Sequence, residues 1–341
     1  MAVAAELRAS GAEVSFLGTR ERIEAELVPA AGYEIDFIKV RGIDRRNPLR
    51  AAVAVAEAVG AVGAARKALR RRDAAVVLGG GGFVAGPAGL AAVLSRTPLV
   101  LTEADSHLGL ANRLLARRAR RVCLSFPIAG REGEPYLVTG RPVADAVLRA
   151  DRGPARQRFG ISPEASCLLV MGGSQGARSI NLAAVEAFAE GAGRDFHVIH
   201  LSGRRDYEEL EQRLAGAPHH DRYTLLAYEP DLGDVLVACD LALARSGGSV
   251  FEVTAAGRPA ILIPYPYATA DHQSANAAWM VNAGAAELIE DSAVSAELLR
   301  DRVAALLGDT ARLAAMAAAS VALARPDAAR RVADEVLAAA Q

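Results

Sequence analysis

Cysteine, lysine and aromatic side chains are all scarce in this chain. The cysteines Cys123, Cys167 and Cys239 are odd in number, far apart and set in apolar runs. That pattern argues against a disulfide frame or a zinc site and predicts buried thiols in a reducing cytoplasm. Lysine occurs only at Lys39 and Lys67, so arginine carries nearly all other positive charge, which reads as coding bias. A formal net charge of -1 provides no global field for nucleic acid or for a strongly acidic partner, so any basic surface must be local. Long apolar runs are missing too. Glu6, Arg8 and Glu13 interrupt the N-terminal segment, unlike a signal peptide, and Glu57 breaks the Ala/Val/Gly stretch from Ala51 to Ala65, which is too short and weakly apolar to span a bilayer. There is no Gly-x-Gly-x-x-Gly in a βαβ unit with an acid about twenty residues on, and no Walker lysine, which argues against a dehydrogenase and a P-loop enzyme.

What is present is alternation. Short apolar runs at Glu13–Leu17, Ala74–Leu78, Leu99–Leu101, Cys167–Met171, His197–Leu201, Tyr223–Leu226, Leu241–Ala244 and Ala260–Ile263 predict strands separated by helical patterns. This is the βαβ signature of parallel sheets, and 341 residues exceed what one core usually organises. A polar segment from Asp145 through Pro163 separates two groups of strands. The expected division is an N-terminal domain over 1–146, a C-terminal domain over 147–325, and a last amphipathic helix over 326–341 that packs back on the first domain. The chain opens on a helical pattern, Ala2–Arg8 stopped by Gly11, whereas a Rossmann-like domain should open on a strand and a phosphate turn.

Several predicted strands run straight into glycine. After Cys167–Met171 comes Gly172-Gly173-Ser174-Gln175-Gly176-Ala177, then a helical pattern. Glycines permit a tight turn and close ligand approach, and the helix start offers unpaired N–H groups to a diphosphate; a plain tight turn is the competing reading. Arg245-Ser246-Gly247-Gly248-Ser249 repeats the arrangement, with Glu252 placed to accept ribose hydroxyls or to stabilise its own helix N-terminus. In Pro264–Asn276, Asp271 is placed as an N-cap and Gln273 falls in the first turn, where an amide can donate to and accept from sugar hydroxyls or simply cap. In the first domain Gly79–Pro87 and Thr102–His107 follow strands in the same way. Metal readings are weak: His197 and His200 should face opposite sides of one strand, and His219-His220-Asp221 sits in a polar turn. No bound metal or cofactor is expected.

With these residues together, the sequence resembles the MurG family of N-acetylglucosaminyltransferases. The likeness spans essentially the whole chain and rests on Phe16-Leu17-Gly18-Thr19, Glu24–Pro29, Gly79–Pro87, Gly172–Ala177, and Asp271-His272-Gln273 with Asn276. It implies an α/β GT-B architecture, two Rossmann-like domains facing across a cleft. It also implies an inverting transfer of N-acetylglucosamine from UDP-N-acetylglucosamine to an undecaprenyl-linked muramyl-pentapeptide in peptidoglycan synthesis. On that resemblance Ser174, Gln175 and Gly176 hold the diphosphate with Ser246, Gly247 and Gly248, Glu252 the ribose and Gln273 the sugar. Backbone near Ala227-Tyr228 takes the uracil, and Gly80, Gly81, Gly82 and Phe83 form an acceptor-side loop.

The chain departs from the family at four places. The first strand and a Gly-Thr-Gly-Gly-His loop have no counterpart, since Met1–Ala4 matches the helix that follows that loop. A His-Glu-Gln-Asn segment is here Thr102-Glu103-Ala104-Asp105. A Gly-Asn-Pro-Val-Arg segment is Gly140-Arg141-Pro142-Val143-Ala144, with Arg141 as the replacement cation on the donor side. The Arg245–Glu252 turn is one residue shorter than the commonest form. The proton acceptor for the attacking hydroxyl is expected at Glu103, with Asp105 and His107 on the same loop. The segment Arg41–Arg46, Arg50, and the cluster Arg66, Lys67, Arg70 and Arg71 flank a weakly apolar helix, an arrangement for the anionic inner face of the plasma membrane or for plain solvation. Two alternatives stay open: another GT-B UDP-sugar transferase with a lipid or small-molecule acceptor, and a catalytically impaired UDP-sugar binder, because the first glycine loop is absent.

Overall fold

The computed structural model describes all residues except 41–47, 174–175, 191–195, 219 and 269–270, and leaves out the side chains of 48–56 and 190. The chain forms two compact units, Met1–Pro142 with Asp327–Gln341, and Val143–Pro326.

The first unit begins with α1 (Ala2–Ala9), then β1 (Ser15–Gly18), α2 (Glu24–Ala30) and β2 (Glu34–Phe37); β1 and β2 pair in parallel. After α3 (Pro48–Arg71), a four-stranded parallel sheet runs in the order β3 (Val77–Gly79), β4 (Leu99–Glu103), β5 (Arg121–Leu124), β6 (Tyr136–Val138). Alternation along β4 sends Leu99 and Leu101 to one face, against Leu115 of α5 (Leu110–Leu115), and Val100 to the other. That other face is covered by Leu7 of α1 and by Val332, Ala333 and Val336 of the chain's last helix, Ala328–Ala340, so the C-terminus returns to this unit. Arg121 Nε donates to Glu335 Oε2 of the same helix at 2.7 Å. Burial pushes the Cys123 thiol up to about 12, consistent with an inert core cysteine.

The second unit is built on a six-stranded parallel sheet in the order β12-β11-β10-β7-β8-β9: Ala286–Leu288, Ala260–Leu262, Leu241–Ala244, Ser166–Met171, Phe196–Leu201 and Tyr223–Leu226. Cys167 to Val170 and Leu241 to Leu243 are fully buried, as expected where helices cover both sheet faces. Neighbouring β7 and β10 have connections leaving in opposite directions, so the sheet's topological switch point lies between them, at the carboxyl ends where open α/β sheets bind ligands.

Four strands lie outside the runs read from the sequence: Glu34–Phe37, Arg121–Leu124, Tyr136–Val138 and Ala286–Leu288. Each is three or four residues long and carries polar residues in or beside it, so its periodicity is too brief to register. The expected run Ala74–Leu78 begins three residues late because Ala74 N donates to Leu69 O, completing the end of α3.

Candidate functional site

The turn after β7 requires its glycines. A Cβ on Gly172 would lie 2.3 Å from Ala177 N, and one on Gly176 would lie 2.2 Å from Ser202 O. Gly173 and Gly176 also hold left-handed φ of 82° and 75°. The turn delivers the chain into α8 (Arg178–Val185). Ser174 and Gln175, the expected diphosphate contacts, lie outside the described residues; Gly176 is described and sits at the helix entrance.

A buried polar chain that was not anticipated supports this turn from below. Asn181 Nδ2 donates to Ser202 O at 2.9 Å and to Asp206 Oδ2 at 2.8 Å, so its Oδ1 must be the acceptor towards His200 Nε2, 3.0 Å away. His200 therefore carries its proton on Nε2, and Nδ1 accepts from the Tyr223 hydroxyl at 2.7 Å. The Ser202 carbonyl held by Asn181 is the atom that excludes a side chain at Gly176. Burial pushes the His200 pKa down to about 3, partly opposed by the Asp206 carboxylate. Its ordinary value is near 6.5, so the unfolded chain binds the extra proton first. The neutral imidazole's contribution is complete above about pH 6.5 and is lost as pH falls towards 3, at about 1.4 kcal/mol per pH unit. Denaturant unfolding at pH 7 and pH 5 should show this slope for the wild type and a shallower one for His200→Gln; equal slopes would refute the assignment.

Beside this turn, β10 ends in Arg245-Ser246-Gly247-Gly248-Ser249, leading into α11 (Val250–Ala255). Arg245 is buried. Its Nη1 donates to Ile263 O and Pro264 O at 3.1 Å each and pairs with Asp291 Oδ1 at 2.6 Å, while Nη2 donates to Ser179 Oγ at 2.9 Å. One guanidinium thus ties together the ends of β10 and β11, the start of α8 and the segment after β12. In the sequence Arg245 stands out only as the first residue of a turn, because its partners are distant in the chain. Ser246, also buried, donates from Oγ to Gln273 O at 2.8 Å, and its carbonyl accepts from Asn276 Nδ2 at 3.0 Å. Gly247, Gly248 and Glu252 are half-buried, with Glu252 in the first turn of α11.

The loop after β11 enters α12 (His272–Asn282). Gln273 Oε1 accepts from Tyr265 N at 2.9 Å, which turns its NH2 group towards the turn after β10, where a Cβ on Gly247 would lie 3.8 Å from Nε2. An amide fixed in this way presents donors. Asp271 occupies the N-cap position with a left-handed φ of 53°, yet its carboxylate accepts from Ser274 Oγ at 2.6 Å and caps no backbone N–H. Gly176, Ser246–Gly248, Glu252 and Gln273 therefore all sit on the turns and helix starts at this sheet's carboxyl edge. Tyr228 follows β9, exposed, with the Arg204 guanidinium 5.9 Å from its ring centre.

In the first unit, the residues after β3 and after β4 are neighbours because those strands pair, and Thr102 Oγ1 donates to Gly79 O at 3.2 Å. Gly81 and Gly82 have φ of 83° and 74°, and no atom stands within 4 Å of a Cβ built at Gly80, Gly81 or Gly82. Phe83 is half-exposed beneath Arg22, 5.1 Å from its ring centre. Glu103 is buried: Oε2 accepts from Gly109 N and Asn112 Nδ2, both at 2.8 Å, and Oε1 from Asp105 N at 3.3 Å. It therefore also holds the loop shape from Asp105 to the start of α5. Asp105 and His107 are half-buried on that loop, and Arg141 is half-buried near the end of the unit. His220 and Asp221 form an exposed turn, and His219 lies outside the described residues, as do Arg41–Arg46; the Arg50 side chain is not described. Among the described residues no three His, Cys, Asp or Glu side chains converge to hold a metal ion.

Two Rossmann-like units, one carrying glycine turns at the switch point of its parallel sheet, define a GT-B glycosyltransferase. Residues 1–124 match the glycosyltransferase family 28 N-terminal domain and residues 167–332 its C-terminal domain. A relative from Moorella thermoacetica is 38% identical over 336 residues, 96% of this chain and 91% of its own length. One from Rubrobacter xylanophilus is 39% identical over 341 residues, 99% of this chain and 98% of its own length. Both are UDP-N-acetylglucosamine--N-acetylmuramyl-(pentapeptide) pyrophosphoryl-undecaprenol N-acetylglucosamine transferases. The crystal structure of Acinetobacter baumannii MurG superposes with a TM-score of 0.77 at 28% identity, covering 99% of this chain and 94% of that one. The chain belongs to the MurG family of UDP-N-acetylglucosamine-dependent hexosyltransferases.

Proposed function

We propose that the chain transfers N-acetylglucosamine from UDP-N-acetylglucosamine to the undecaprenyl-linked muramyl-pentapeptide, with inversion to a β-1,4 bond. The observation that carries this reading is the gathering of donor-type groups at one sheet edge in the second unit. Gly176 and the start of α8 offer N–H groups to the diphosphate together with Ser174 and Gln175. Ser246, Gly247 and Gly248 line the same edge, Glu252 accepts the ribose hydroxyls, Gln273 donates to the sugar, and Arg141 adds a cation. Fixed backbone donors of this kind stabilise the departing diphosphate. On the first unit, Gly80–Phe83 receives the acceptor, and Glu103, with Asp105 and His107, takes the proton from the attacking hydroxyl.

The test is transfer of labelled sugar from UDP-N-acetylglucosamine to a lipid-linked acceptor, with the product's anomeric configuration read by NMR. Binding of the nucleotide sugar without transfer would overturn the proposal. Gln273→Ala should leave UDP affinity unchanged and raise the KM for UDP-N-acetylglucosamine about fivefold, the equivalent of one net hydrogen bond. Equal losses for UDP and for the sugar nucleotide would remove Gln273 from the sugar site.

The acceptor is lipid-linked, so the enzyme works at a membrane surface, and we place it on the cytoplasmic face. No single described helix is long and apolar enough to cross a bilayer. Arg66, Lys67 and Arg70 on α3 neighbour exposed Leu90 and Leu94 on α4 (Gly82–Ser95), a basic and apolar combination suited to anionic lipid. Arg71, grouped with them from the sequence, is instead paired with Asp36.

A further inference from the structure

The chain exposes few aromatic rings and places them alike. Phe83, Tyr228, Tyr265 and Tyr267 are the exposed ones, each in a segment that follows the carboxyl end of a strand, whereas the other rings are buried or half-buried. Open α/β sheets bind ligands at those ends. Tyr265 and Tyr267 stand together, on the turn that follows β11 and leads to Gln273.

Pro264 and Pro266 stiffen this turn. Ala268 N donates to Tyr265 O at 3.1 Å and closes four residues with proline in second place, where its fixed φ fits. Tyr265 is fastened twice. Its N–H donates to Gln273 Oε1 at 2.9 Å, and its ring centre lies 5.5 Å from the guanidinium carbon of Arg245, which also holds the Ile263 and Pro264 carbonyls. Tyr267 meets the Tyr265 ring edge to face, with centres 5.6 Å apart and planes at 72°.

Single apolar side chains on a surface are ordinary and call for no ligand. Tyr265 has a use within the fold, since its ring covers Arg245. Tyr267 adds little burial, being 82% exposed, yet the prolines and the ring contact fix its orientation. A rigid tyrosine of this kind supplies contact area at small entropy cost once an apolar surface covers it. A hexopyranose has such a surface: its ring C–H groups form an apolar face, while its hydroxyls lie at the rim, open to a donor such as the Gln273 NH2 group. Ligand sites combine aromatic walls with a few placed polar groups in this way.

We propose that Tyr267, braced by Tyr265, stacks on the C–H face of the hexose ring of the nucleotide-sugar donor, so that this turn distinguishes the sugar nucleotide from the bare nucleotide. The assignment rests on the donor site proposed above and adds to it a contact with the sugar ring.

Calorimetry with UDP and with UDP-N-acetylglucosamine tests it on the full chain. Tyr267→Ala should weaken the sugar nucleotide roughly threefold to tenfold, the range of one aromatic contact, and leave UDP affinity unchanged, which also reports intact folding. Tyr267→Phe should bind as the wild type does, and Tyr267→Leu, apolar without a flat face, should recover only part of the loss. An unchanged sugar-nucleotide affinity in Tyr267→Ala, alongside a loss in Gln273→Ala, overturns the stacking while leaving the donor site standing. An equal loss for UDP assigns the ring to the shape of the loop and overturns it too, as does full recovery by leucine. In steady-state transfer, a raised KM for the lipid-linked acceptor with the donor KM unchanged would move the ring to the acceptor and overturn the donor assignment. No binding of either nucleotide by the wild type overturns both readings.

Discussion

Replacing Arg245 with alanine is expected to destabilise the second unit by about 3–5 kcal/mol and to abolish measurable UDP binding. The size follows from what one buried guanidinium holds. Its removal leaves Asp291, with a side chain only 22% exposed, without its cation, and strips a donor from Ile263 O and Pro264 O. A buried carbonyl or carboxylate that loses its donor suffers the full desolvation penalty, which exceeds the net worth of an ordinary hydrogen bond. Ligand binding suffers along with stability because those two carbonyls start the loop that leads to Gln273, while Ser179, bonded to the same guanidinium, lies in the first turn of α8. Arg245→Lys keeps the charge but cannot reproduce the planar fork, so it should recover only part of the loss. Denaturant unfolding and UDP calorimetry on the two variants measure this. A loss below about 1 kcal/mol for the alanine variant, the range of a solvated surface pair, would show that the network is dispensable.

The second large effect is expected at Glu103. With Glu103 as proton acceptor, Glu103→Gln should lower kcat by roughly a hundredfold to ten-thousandfold, with UDP affinity unchanged because none of its hydrogen-bond partners is a residue assigned to the nucleotide. The geometry supplies a competing cause of inactivity, since Glu103 also accepts from Asp105 N, Gly109 N and Asn112 Nδ2. A glutamine in its place would point an NH2 group at one of those donors. The two causes separate through pH and through Asn112. If Glu103 takes the proton, the acidic limb of the wild-type pH–rate profile disappears in Glu103→Gln, and Asn112→Ala keeps that limb at a reduced rate. If Glu103 only shapes the loop, Asn112→Ala reproduces the whole loss and the limb survives in both variants, which would transfer the proton to Asp105 or His107.

Much of the second unit was legible from residue order. Cys167–Met171 and Leu241–Ala244 announce themselves as strands because a parallel strand covered on both faces is a continuous apolar run, and a glycine-bearing turn follows each. Gln273 and Glu252 could be proposed because they fall in the first turns of helices after such strands. The first unit was harder. Arg121–Leu124 and Tyr136–Val138 complete its sheet, but strands this short do not show a period above noise. Asp271 shows a different failure: aspartate before a helix signals a cap, but its left-handed backbone turns the carboxylate to Ser274 instead.

The family, the parallel α/β class and the glycine turns are properties of the sequence alone, because they depend on local chemistry: which residues can turn, which can be buried and which can offer hydrogen bonds a few positions apart. Tertiary structure decided which of those turns share an edge. The strand order β11-β10-β7-β8 sets the end of β7 at Gly172 beside the end of β10 at Arg245 and Ser246, although about seventy residues of chain separate them. It also gave Arg245, Asn181 and His200 their roles. Those roles depend on distances between residues far apart in the chain, and no periodicity or spacing in the sequence encodes them.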